Sequence, residues 1–110
     1  MIGGNVQAMG VLTLTLDPAS VAAAISAEQT FSVPGLRVGD FVFVNTPAVG
    51  SGAGQMNAGL GVAGARVTAA DTLGIRFVNA TAGALDAGSA TYTLLVVRPG
   101  ATPGPSGFAA

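Results

Sequence analysis

The sequence predicts an all-β domain, an antiparallel sandwich or barrel of about seven strands. Short runs of apolar or alternating residues recur along the chain. Glycine, proline, asparagine and aspartate punctuate them at regular spacing, which is the chemistry of tight turns. No long stretch carries a 3.6-residue period between these runs, so a doubly wound parallel sheet is not expected. At 110 residues the chain is long enough for one domain with a single core. We divide it into an arm over residues 1–9, a folded domain over 10–98 and a tail over 99–110.

Met1 to Met9 contains Gly3-Gly4-Asn5 and shows no period, so it reads as a flexible arm. Val11 to Leu16 alternates, with Leu12, Leu14 and Leu16 on one face and Thr13 and Thr15 on the other, the pattern of a half-buried strand. Asp17-Pro18 ends it. Ala19 to Ala27 is alanine-rich and Ser20 is placed to cap a helix, yet the run is short and its all-strand context favours strand over Val21 to Ser26. Glu28 to Val33 follows, with Phe31 and Val33 on one face.

The central stretch is Phe31 to Asn45. Pro34 presets the φ of a turn's second residue and Gly35 supplies the positive φ that a type II turn requires at its third. Gly39-Asp40 bends the chain again before Phe41-Val42-Phe43-Val44. Neighbouring strand side chains point to opposite sides, so that run is apolar on both faces and must be covered twice.

Thr46 to Ala58 holds Pro47, Gly50, Gly52 and Gly54 with no period, a long loop expected at the surface or ordered against a partner. Leu60 to Asn79 reads as a hairpin in which Ala63, Ala65 and Val67 match Phe77, Ile75 and Leu73 around a loop at Ala69-Ala70-Asp71. A one-residue slip would send Ile75 to the side that holds Arg66, so the pattern pins the register. That register sets Arg66 opposite Gly74 and Arg76 opposite Gly64 on the outer face, where each arginine lies flat or reaches a carboxylate of a neighbouring subunit. Ala80 to Ala90 is a second glycine-containing loop. Thr91 to Arg98 is the last strand, with Tyr92, Leu94 and Val96 on one side and Leu95 and Val97 on the other. The tail from Pro99 holds three prolines and three glycines and one large apolar residue, Phe108, placed to anchor it in a groove on a partner.

Composition narrows the function. Cysteine, histidine and lysine are all absent, which removes thiolate metal sites, disulfides, the commonest general base and any Ser-Lys pair. The abundant serines and threonines have no base to activate them, so no enzymatic activity, catalytic residue, cofactor or metal is expected. A net charge of −1 offers no electrostatic hold on nucleic acid. No apolar run reaches the ~18 residues of a membrane span, and the first nine residues lack the regions of a signal peptide. Charged residues make up 8 % of the chain against about 25 % in an ordinary soluble domain. So few charges give little mutual repulsion, and we expect much of the surface to be buried in an assembly.

Three motifs have plain readings. Gly59-Leu60-Gly61-Val62-Ala63-Gly64 fits G-x-G-x-x-G, but strand follows it where a dinucleotide site needs a helix, and a chain with 17 glycines produces such matches by chance. Asn79-Ala80-Thr81 fits the glycosylation sequon and reads as a strand end entering a loop. Asp40, Asp71 and Asp86 each sit in turn sequences, where aspartate bonds the local backbone.

Three blocks resemble a group of small virion proteins of tailed bacteriophages: Phe31 to Asn45, Gly61 to Asn79 and Thr91 to Pro99. The first is similar to their "vPGLkvGD" corner and the second to their "ARVsaadTl" hairpin. The resemblance implies a jelly-roll-like β-sandwich of about seven or eight strands, acting as a head decoration (cement) protein in dimers or trimers. On this expectation the chain is made in the bacterial host cytoplasm, binds the major capsid protein and resides on the virion surface. The alternative role is a tail-fibre or spike head that binds a host glycan or protein. The expected interface residues are Phe41, Phe43, Val44, Tyr92, Leu95 and Val97, with Arg66, Arg76 and Phe108 as further contacts.

Overall fold

The structure is a computed structural model and describes residues 6–50 and 54–100. It is all-β: β1 (Val6–Leu16), β2 (Ser26–Ser32), β3 (Phe41–Asn45), β4 (Leu60–Ala69), β5 (Thr72–Asn79) and β6 (Ala90–Pro99). Six strands form among the described residues, where seven or eight are expected from the sequence. They make two three-stranded antiparallel sheets, ordered β1-β6-β3 and β2-β5-β4. The sheets enclose one core, in which Leu73, Ile75, Phe77, Tyr92 and Leu94 are wholly buried.

The missing strand is the alanine-rich segment. Ala19 to Ile25 forms neither strand nor helix beyond a single bridge, in which Val21 and Leu85 exchange backbone hydrogen bonds of 2.7 and 2.9 Å. Ala24 takes a left-handed φ of 56°, which ends any extended run there, and β2 starts only at Ser26. The side-chain amide of Gln29 imitates a strand neighbour instead, accepting from Ala19 N at 2.7 Å and donating to Ala19 O at 2.8 Å.

The first strand is longer than its alternation indicates. Residues 6–9, read as part of an arm, belong to β1 and pair with β6 as far as Val6 against Pro99. Residues 1–5, and the tail 101–110 with Phe108, lie outside the described residues. The β4–β5 register is that expected around both arginines, Arg66 opposite Gly74 and Arg76 opposite Gly64. The hairpin loop is shorter than expected: Ala69 pairs Thr72, and Asp71 takes the left-handed φ of 60°. A second irregularity brings Val62, not Ala63, opposite Phe77.

The central corner consists of two stacked turns with glycine at the third position of each. Leu36 N bonds Val33 O across Pro34-Gly35, and Asp40 N bonds Arg37 O across Val38-Gly39. Gly35 and Gly39 have φ of 97° and 100°, which a residue with a Cβ rarely adopts. The corner is then fastened from two distant places. Asp71 Oδ1 accepts from Gly35 N at 2.7 Å, while its backbone bonds both Val33 and Leu36. Arg98 reaches in from β6 to Asp40 at 2.7 Å and to the carbonyl of Gly35 at 2.8 Å. The three sequence blocks singled out above therefore meet at one end of the sandwich.

Asp40 is buried and also accepts from Arg37 N at 3.0 Å. The hydrogen bond from Arg98 is the main cause holding its carboxyl below the usual aspartate range, against the opposing effect of burial.

Candidate functional site

The register of β1, β6 and β3 builds one surface row by row. Directly opposed residues of antiparallel strands point to the same side. Leu12, Leu94 and Val44 face inward, as do Gly10, Val96 and Val42. The alternate positions face out: Met9, Val97 and Phe41 form one row, Val11, Leu95 and Phe43 the next, and Thr13, Thr93 and Asn45 the third. Six large apolar side chains thus adjoin on the outer face of this sheet. Val11 is 68 % exposed, Phe43 59 %, Phe41 58 % and Met9 51 %. Leu95 and Val97 are partly shielded because they sit on the central strand, between neighbours on both sides.

No charge interrupts this face. Arg98 is the only charged residue in the three strands, and it points the other way, into the corner with Asp40. The exposed apolar area of the six residues is on the order of 500 Å², near the top of the range for the largest patch on an ordinary monomer.

The outer face of the other sheet is built differently. Glu28 sits directly opposite Arg76, which in turn opposes Gly64. Glu28 nevertheless pairs diagonally with Arg66, through two hydrogen bonds of 2.8 and 2.9 Å. The pair crosses over Gly74, where an added Cβ would come within 2.9 Å of Glu28 Oε2 and 2.8 Å of Thr68 Cγ2. The bond from Arg66 is the main cause lowering the Glu28 pKa.

The expected interface residues therefore separate. Phe41, Phe43, Leu95 and Val97 share the apolar outer face. Tyr92 does not belong with them: it is 0 % exposed and points into the core, its hydroxyl 3.9 Å from the sulfur of Met56. Val44 points inward as well and packs against the core. Arg66 and Arg76 lie on the opposite sheet, and Arg66 pairs with Glu28 of its own chain. Met9 and Val11 were missed. Their side of β1 carries threonines further along, and only the pairing with Val97 and Leu95 reveals that they extend the patch.

The remaining motifs are structural. Asn79 is buried, donating to Val21 O at 3.0 Å and Gly83 O at 2.8 Å and accepting from Thr81 N and Thr81 Oγ1. It closes the loop after β5, so the sequon is inaccessible to modification in the folded chain. Asp40, Asp71 and Asp86 each accept from a nearby or facing backbone N–H. The long loop after β3 is tied at its stems by Val49 and Met56, and Met56 is buried beneath Tyr92. Among the described residues there is no group of acids able to hold a metal ion and no helix long and apolar enough to cross a membrane. No protein-family model, no curated protein and no solved structure matches the chain.

Proposed function

We propose that this chain is a structural virion protein that decorates and cements the capsid of a tailed bacteriophage. On this reading the outer face of β1-β6-β3 seats against the major capsid protein, and the charged face of β2-β5-β4 looks to solvent. The strand order, with β1 beside β6, β2 beside β5 and β3 alongside β4, is read as a jelly roll reduced to three strand pairs. The observation that carries the reading is the uncharged apolar face of Met9, Val11, Phe41, Phe43, Leu95 and Val97.

Magnitudes favour a role in an assembly of many copies. At about 25 cal/mol per Å², ~500 Å² of apolar area is worth roughly 12 kcal/mol before any cost of association. Association itself costs about 4–15 kcal/mol, so one copy's face leaves little net affinity by itself. It also falls short of the ~800 Å² per partner of a standard stable interface. Docking of linked copies on a repeating surface overcomes this through effective concentration.

The test is the protein composition of purified phage particles carrying the wild-type chain or Phe43→Asp. The expected result is copies on the order of hundreds per particle for a repeating shell site, and loss of the variant from particles while the free variant stays folded. Wild-type-like incorporation of Phe43→Asp overturns the assignment of the face. A handful of copies per particle overturns decoration in favour of a fibre or spike.

A further inference from the structure

We propose that two copies of this chain pair edge to edge along β1, antiparallel about a two-fold axis through Val11. A six-stranded sheet, β3-β6-β1-β1-β6-β3, then runs through the dimer. This deepens the reading above by naming the contact that links its copies, and rests on that linkage.

The free edge of β1 carries the argument. β1 is outermost in its sheet and bonds only β6, so along Val6–Leu16 its other edge has no strand partner among the described residues. Exposed edges are normally guarded by a charge, a proline or a bulge. These eleven residues contain no Asp, Glu, Lys, Arg or Pro, and the single register shift lies at one end, between Val6 and Ala8. The other edge strands are better guarded. β2 carries Glu28, β4 carries Arg66 and two irregularities, and β3, though uncharged, is only five residues long and lies alongside β4.

Face parity and overlap select the register. Any pairing that sets an odd residue opposite an even one mixes the inner and outer faces. Every axis through a residue preserves parity; one at Val11 pairs all eleven residues, one at Gly10 or Leu12 pairs nine, and one at Met9 or Thr13 only seven. It also sets small residues against leucines on the inner face: Gly10 opposite Leu12, Ala8 opposite Leu14 and Val6 opposite Leu16. A Cβ added at Gly10 would meet nothing within 4 Å, and Leu12 is 36 % exposed. A groove of about 270 Å³, apolar except for Arg98 at its wall, runs along Ala8, Gly10 and Leu12 beside Pro34 and Leu36. The leucines of the second copy cover it. On the outer face the two patches adjoin through Val11, doubling the contiguous apolar area to on the order of 1,000 Å², which clears the ~800 Å² per partner that a single face misses.

The experiment measures the mass of the full chain in solution by light scattering. The wild type is expected to be a dimer. Val11→Lys and Val11→Glu are each expected to be folded monomers with dimer affinity reduced at least tenfold, since either sets like charges about 5 Å apart across the axis. Mixing the two is expected to restore a dimer. Phe43→Glu, two strands from this edge, is expected to remain dimeric even where it no longer joins particles. The chain has no cysteine, so Val11→Cys is expected to form a disulfide-linked dimer in air, and Thr15→Cys, opposite Gln7, is not. A monomeric wild type, a dimer that survives Val11→Lys, or a Phe43→Glu variant that dissociates overturns the proposal. A dimer never found on particles leaves this contact standing and removes the virion reading.

Discussion

The two outer faces of this sandwich have the same backbone and opposite chemistry. Beneath both lies a shared core, and each sheet places alternate residues outward by the same period of two. On β2-β5-β4 the outward positions hold Glu28, Arg66 and Arg76, with glycines that leave room for the long side chains. On β1-β6-β3 they hold Met9, Val11, Phe41, Phe43, Leu95 and Val97 and no charge. Folding requires only the inner faces to be apolar, so the apolar outer face of β1-β6-β3 exceeds what this fold needs. One sheet turns charge to its outside and the other turns only apolar and neutral side chains.

That contrast can be attacked from several sides. The largest effect is expected from neighbours on one strand: Leu94→Ala should lose about 3 kcal/mol in a denaturant titration, because its buried position leaves a cavity. Leu95→Ala, one residue on and facing outward, should lose under about 1 kcal/mol. Equal losses would mean that the outer face is already covered within the chain. Next comes Asp40→Ala, expected to cost about 2 kcal/mol because it removes the only carboxylate paired with Arg98 among the described residues and the acceptor of the Arg37 N–H.

The same carboxylate sets the acid limit. Its folded pKa lies below the unfolded value of about 3.9, so its contribution is complete above that value and is lost as pH falls through the folded pKa. Thermal melts should therefore show wild-type stability dropping below about pH 4, with a shallower drop in Asp40→Asn. Gly74→Ala should give a smaller loss, about 1 kcal/mol, by forcing Glu28 and Thr68 apart. Glu28→Gln should leave the melting temperature unchanged at high salt, since exposed ion pairs contribute little. A large loss there would show that the charged face also carries the fold.

Local chemistry made the central parts of this fold legible. The corner at Pro34-Gly35 and Gly39-Asp40 follows from proline's fixed φ and from glycine's freedom to take a positive one. The placement of Arg66 over Gly74 follows from strand parity. What remained illegible depends on distant partners. Residues 6–9 have no period of their own and become strand because β6 is long enough to pair with them. Arg98 and Asp40, 58 positions apart, carry no mutual cue along the chain. Tyr92 looked like an interface aromatic because β6 is apolar on both sides, and nothing local says which side the core takes. The β-sandwich class could be read from the sequence, while the membership of the outer face needed the register between strands.

The seat of Tyr92 has a spectroscopic consequence. It is the single tyrosine of a chain without tryptophan, so the phenolate band near the usual alkaline range reports on one residue alone. Burial raises its pKa, so the hydroxyl stays protonated beyond the point at which a free phenol ionises. The stability linked to it is complete below about pH 10 and is lost as pH climbs through the higher folded value. Just above the free phenol's range, the phenolate absorbance of this chain therefore rises first in opened molecules and only later in folded ones.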